Sequence, residues 1–169
     1  MPMIKTNRVG HSGFTVIELI VVTTVLVVAG LLVFNQITNL NRAAADTQRK
    51  TAINAMYYAL EEVYFKQQGH YPASLTTETL PSVDATLFTD PDGFTLGKEA
   101  LSEDELQKLI SNGDASDDVK KRFAAVTAGK GPNYHYDPTN CDNEGKCKSY
   151  TIRADLISEA EYVKKSRNS

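Results

Sequence analysis

Glu18 is the one ionisable residue in a run of apolar side chains that extends from Phe14 to Phe34. A carboxylate inside a membrane costs about 2.5–3.5 kcal/mol near the centre of a spanning helix and is rarely kept without a partner. Glu18 lies towards one end, where the cost is lower, yet it still calls for a cation. The sequence offers one at a short distance. Cutting the chain between Gly13 and Phe14 would create an amino group at the head of the same apolar run. The chemistry this suggests is ion pairing of a carboxylate with a chain terminus in an apolar medium. The plainer readings are a secretory signal or a simple anchor. An ordinary signal has an apolar region of about 7–15 residues and is cut after it, at small residues. Ala29-Gly30 resembles such a cut site, but the apolar run continues past it, and neither plain reading accounts for Glu18 so close behind Gly13-Phe14.

The element that must position Glu18 is a helix. The Phe14–Phe34 run is about 21 residues, enough to cross a bilayer at roughly 1.5 Å per residue. Lys5 and Arg8 precede it, and no charge follows Phe34 until Arg42. The excess of positive charge at the front places the N-terminus in the cytoplasm and everything after Phe34 outside.

The stretch Gly13-Phe14-Thr15-Val16-Ile17-Glu18, with Lys5 and Arg8 before it and Leu19-Ile20-Val21-Val22 after it, resembles the N-terminus of type IV pilins and of the pilin-like subunits (pseudopilins) of secretion and DNA-uptake machines. The resemblance is strong over roughly residues 5–34. It implies a leader peptide, 1–13, removed after Gly13 by a prepilin peptidase on the cytoplasmic face. It implies N-methylation of the new terminus, Phe14, and use of Glu18 in filament assembly. The partners it implies are other copies of the chain and other pilins, the prepilin peptidase, a pilus assembly platform and the membrane. The fold it implies is α+β: a long N-terminal helix, hydrophobic and membrane-spanning in its first half (14–34), packed on a small antiparallel β-sheet. A weaker likeness continues at Gly69-His70-Tyr71-Pro72-Ala73-Ser74-Leu75. Many Gram-negative pilins carry a proline in the membrane helix near the position of Asn35, and this chain does not. Gly30 weakens the helix locally by about 1 kcal/mol relative to Ala.

Composition fits one exported domain. The chain has 169 residues with 18 basic and 21 acidic side chains, a net charge of −3. Loss of Lys5 and Arg8 with the leader leaves 16 against 21, or −5. No basic block remains to suggest a specific nucleic-acid site.

Helical character is expected to run on past the membrane. Residues 35–67 contain neither Pro nor Gly, and Ile37, Leu40, Ala44, Ile53, Met56, Leu60 and Val63 recur at a helical spacing. Arg42, Arg49, Lys50, Glu61, Glu62 and Lys66 fall mostly off that stripe. The first half of this segment is expected to contact other subunits and the second half to pack on a sheet. Gly69 caps the helix and Pro72 cannot continue it, so one helix is predicted from about Phe14 to Gln67, with a C-terminal globular domain over 68–169.

Within that domain, residues 73–132 read as a connecting region. Asp90-Pro91-Asp92-Gly93 is turn chemistry. Its acids also suggest the opening of a calcium loop, but Phe94-Thr95-Leu96-Gly97 lacks the further oxygen ligands such a loop needs, so a turn is expected. Ser102 with Glu105 forms a capping-box pattern that opens a short helix to about Ile110. A second helix is expected over 117–126, with Asp117 and Asp118 at its positive end. A β-hairpin over 133–157 follows from the alternation of Tyr134-His135-Tyr136 and of Tyr150–Leu156. Cys141 and Cys147 flank a turn containing Asn143 and Gly145. In an exported domain they read as a disulfide clipping the hairpin; a zinc half-site would need two more ligands, which His70 and His135 do not supply by spacing. The tail from Glu159 to Ser169 is charged and expected to fray.

No nucleophile elbow, phosphate-binding glycine loop or paired histidines stand out, and His135 beside Asp137 reads as part of a strand. No enzyme activity, metal or cofactor is expected. Two function classes remain: a filament subunit, whether pilin or pseudopilin, and a membrane-tethered binding module or enzyme, for which Glu18 would have no use.

Overall fold

A computed structural model of the protein describes residues 15–98, 101–113 and 115–168. The leader, Gly13 and Phe14 lie outside the described residues. Residues up to Leu40 and residues from Asn41 onward form two separate compact units.

Helix α1 (Val16–Tyr58) opens at Thr15, whose hydroxyl accepts from the Glu18 N–H at 3.3 Å. Its first part is rich in β-branched Val, Ile and Thr, poor helix formers in water. In a bilayer a lone segment must satisfy its own backbone, and a helix does so. The helix containing this segment is long and apolar enough to cross a membrane, and none of its most apolar 18-residue window is buried.

From Asn41 onward the same helix changes character. Its buried residues are Asp46, Arg49, Ala52, Ile53, Met56 and Tyr57. Ile53, Met56 and Leu60 are fully enclosed, as the spacing predicts, whereas Val63, the last residue of the predicted stripe, lies in the π-helical stretch and is exposed. Ile37, Leu40 and Ala44, from the first half of the predicted stripe, are exposed. The helix is not regular to its end: Ala59–Tyr64 is a π-helical stretch, followed by the short helix α2 (Phe65–Gln68). The wide π turn accounts for a run the α period cannot give, since Ala59, Leu60 and Glu61 are buried in succession. Gly69 ends the helix in the left-handed region at φ 72°, its N–H bonded to the Phe65 carbonyl at 2.8 Å.

The sheet is antiparallel and centred on β3 (Lys146–Ala154). Strand β2 (Tyr134–Cys141) pairs with it throughout, from Tyr134↔Ala154 to Cys141↔Cys147. The two-residue β1 (Tyr71–Pro72) pairs with the start of β3, and β4 (Tyr162–Lys165) with its end. Pro138 is tolerated inside β2 because that strand lies at an edge. Buried Tyr150, Ile152 and Ala154 alternate along β3 towards Ile53, Met56 and Leu60 in one apolar cluster, which Leu75, Leu80 and Phe88 complete from the connecting region.

Helices α3 (Glu103–Ser111) and α4 (Asp117–Thr127) lie close to their expected bounds. Ser102 and Glu105 make the full reciprocal capping box. The hairpin extends further towards its turn than alternation suggests. The tail corrects the sequence reading: Tyr162–Lys165 is a strand rather than frayed chain. The strand ends in two adjacent lysines at an edge, Lys164 half-buried and Lys165 exposed, which composition alone does not distinguish from a disordered end.

Candidate functional site

In the apolar segment, Thr23 and Thr24 are the only polar side chains besides Glu18 between Val16 and Phe34. Thr23 returns its hydroxyl to the Leu19 carbonyl at 2.9 Å, and Thr24 to that of Ile20 at 2.8 Å. Both are thus satisfied within the helix. The Glu18 carboxylate has no partner among the described residues. Around it Val16, Ile17, Leu19 and Ile20 are all more than half exposed. The described part of the segment therefore presents an uncovered apolar surface around one carboxyl group that has no partner among the described residues. Such a surface suits an apolar medium or an apolar neighbour.

In the second unit the structure assembles two polar networks. Asp46 and Arg49 are almost fully buried. Asp46 accepts from the backbone N–H groups of Ile157 and Ser158 at 2.7 and 2.8 Å. Arg49 donates to Asp46 at 3.4 Å and to Asp92 at 2.8 Å. Burial by itself would raise the Asp46 carboxyl, but the two backbone donors, the Ser158 side chain and the Arg49 charge outweigh it and hold it below the usual carboxylate range.

The Asp90–Gly93 segment is the expected turn, and its acids face protein groups. Asp90 accepts from Asn133 Nδ2 at 2.6 Å and from the Phe94 N–H at 2.9 Å. Asp92 is shared between Arg49 and Lys130, the latter at 2.9 Å. No group of three or more potential metal ligands occurs among the described residues.

The second network surrounds Glu61, brought inward by the π turn and 3% exposed. Tyr150 donates to it at 2.9 Å and Tyr71 at 3.1 Å. The Arg167 N–H donates at 3.2 Å and Asn168 Nδ2 at 3.4 Å. Burial first, and then the Glu61 carboxylate, push the Tyr150 hydroxyl well above its usual range, so it stays a donor. Arg167 also bonds the Tyr57 hydroxyl and Glu62.

Cys141 and Cys147 are joined in a disulfide across the hairpin end. Inside that loop, Asp142 Oδ1 accepts from the N–H groups of Glu144 and Lys146, each at 2.9 Å. His135 lies on β2 with Nε2 3.1 Å from Asp155.

The structure corrects the sequence reading of Arg49 and Glu61, which placed both mostly off the apolar stripe: both are buried, as is Asp46, which that reading did not single out. A signal was nonetheless present: 46, 49, 53 and 56 follow one helical spacing, so Asp46 and Arg49 continue the buried stripe. Glu61 had no such signal, since its burial depends on the π turn. No family model matches the chain, nor does any curated protein or solved structure.

Proposed function

We propose that the protein is a structural subunit of a type IV pilus or pilus-like filament, held in the cytoplasmic membrane by its apolar helix and polymerised through that helix once the leader is removed at Gly13-Phe14. The observation that carries this reading is the contrast along the apolar segment: Thr23 and Thr24 are satisfied within the helix, while Glu18, amid exposed apolar side chains, has no partner among the described residues. In an apolar medium that carboxylate draws in a cation, and the Phe14 amine of a neighbouring copy supplies one. Burial strengthens the pair, and leaving one partner of a buried pair alone costs about 3–5 kcal/mol. The protein acts in this reading by assembling rather than by catalysing. The membrane form has its N-terminus in the cytoplasm and the assembled form is an extracellular or cell-surface filament. A pseudopilin of a secretion or DNA-uptake system would use the same pairing.

Intact mass of the membrane-purified protein should match a chain starting at Phe14, with an added methyl group. Glu18→Gln keeps the shape and removes the charge. Glu18→Ala makes the segment more apolar and should insert at least as well as the native chain. Both variants should accumulate in the membrane and lose most filaments in electron micrographs. A mature terminus at Met1 would defeat this reading, and so would a Glu18→Gln strain with undiminished filaments in favour of a tethered module.

A further inference from the structure

Asp92-Gly93 and Asn112-Gly113 each place a short side chain ending in a carbonyl group directly before a glycine. That spacing permits a reaction of the chain with itself, in which the glycine nitrogen closes a ring onto the side-chain carbonyl carbon. Glycine favours it because no Cβ crowds the approach or restricts the turn of the backbone. The structure treats the two places in opposite ways.

Asp92-Gly93 is locked. The Asp92 carboxylate accepts from Arg49 at 2.8 Å, Lys130 at 2.9 Å and Asn133 at 3.2 Å, and an ionised carboxylate is a poor electrophile. Gly93 donates to the Asp90 carbonyl at 3.0 Å and packs on α4 so closely that a Cβ there would lie 2.6 Å from the Asp118 carbonyl oxygen. Asn112-Gly113 stands at the open end of α3. Asn112 is the C-cap, and both residues are exposed. A Cβ built on Gly113 would meet no atom within 4 Å. Asn112 carries a neutral amide, whose nitrogen can leave as ammonia. In the closed helix end its ψ of −6° keeps the Gly113 nitrogen turned away from Cγ. The backbone bonds there run from the Asn112 N–H to Lys108 at 3.0 Å and from the Gly113 N–H to Ile110 at 3.2 Å. Terminal turns of this kind fray, and Leu106, the buried anchor of α3, lies further back along the helix. The last turn can therefore open without drawing α3 off the core.

We propose that Asn112 is a site of spontaneous covalent modification, at which the folded protein exchanges the side-chain amide for a carboxylate through a cyclic imide with Gly113. When the last turn opens, the Gly113 nitrogen gives its proton to hydroxide and attacks Asn112 Cγ. The Cγ–Nδ2 bond breaks, and the nitrogen leaves as ammonia with a proton taken from water. Water then adds to either carbonyl of the imide, and opening the ring gives aspartate or, when the backbone carbonyl is attacked, isoaspartate. One water is consumed and one ammonia released. The product puts a negative charge at the C-terminal end of α3, where the helix carbonyls already gather negative charge. Isoaspartate also lengthens the backbone by one carbon and breaks the register of the bonds to Lys108 and Ile110. The modified end should stay open, exposing the chain after Lys108. The site shares no residue with Glu18 and does not depend on filament assembly.

Peptide mapping by mass spectrometry of the folded, full-length protein, aged in detergent micelles at mildly alkaline pH, tests this. Asn112 should lose its amide on the order of tenfold faster than any other asparagine, since it alone precedes a glycine. The product should contain both aspartate and isoaspartate, and Asp92 should stay unchanged over the same period. Asn112→Gln keeps an amide on a longer side chain and should leave this peptide unaltered. Limited trypsin digestion should cut the aged protein after Lys108 faster than aged Asn112→Gln. An intact Asn112, a product of aspartate alone, or isomerisation of Asp92 at an equal rate would overturn the assignment. Equal cutting of the two aged proteins after Lys108 would overturn the opening of α3.

Discussion

Glu61 and Glu62 are neighbours in sequence with opposite surroundings, and the difference sets what each is worth. Glu62 lies at the surface, paired with Lys66 and Arg167, where solvent screens such pairs and they contribute little. Glu61 is the common acceptor of Tyr71, Tyr150, the Arg167 backbone and Asn168. Glu61→Ala orphans buried donors at about 1–3 kcal/mol each, so thermal melting should show a much larger loss than for Glu62→Ala. Asp46 adds an acid sensitivity. Its folded carboxyl lies below the ordinary value of 3.8, so the stability it contributes is complete above that value and lost as pH falls through the folded one. Asp46→Asn should therefore lower stability at neutral pH and flatten the stability profile below about pH 4, as denaturant melts at a series of pH values would record.

At the scale of elements, patterned segments were legible and paired ones were not. The α3 boundary was readable because Ser102 and Glu105 carry out their own capping chemistry locally. The long helix was readable from apolar spacing, and the turn at Asp90–Gly93 from its residues. The π turn was not readable because it depends on a contact distant in sequence, Glu61 with Tyr150, and β4 was not readable because Tyr162-Val163-Lys164-Lys165 shows no apolar alternation. The disulfide lies between these cases, since two cysteines around a turn restrict the choices. Cys141 and Cys147 close a short loop at the end of a hairpin already paired from Tyr134↔Ala154 onward. Its contribution should be below the ~3 kcal/mol estimated for a loop of about 15 residues. Cys141→Ser with Cys147→Ser should lower the denaturant midpoint yet leave a cooperative transition, and non-reducing mass mapping of the native protein should recover the linked peptide.

For the molecule as a whole, the two units divide the physical tasks. The packed core draws its residues from position 52 onward, while large apolar side chains between Val16 and Leu40 are exposed. A fragment starting at Asn41 should accordingly be soluble without detergent and melt cooperatively, monitored by circular dichroism and sedimentation. Loss of a cooperative melt in that fragment would show that the apolar segment is needed for the core to form.

The long reach of the two buried acids fixes an order of events during synthesis. Asp46 receives its backbone donors from Ile157 and Ser158, 111 and 112 residues later, and Glu61 receives Arg167 and Asn168 after 106 and 107. When the helix leaves the ribosome, these partners have not yet been translated. The apolar segment is therefore available to the membrane-insertion machinery well before the domain behind it can close. Both acids remain hydrated in the interim, which keeps the nascent helix soluble on the face it will later bury. Closing contacts so distant in sequence slow the formation of the domain, so the apolar segment emerges well before the domain can fold.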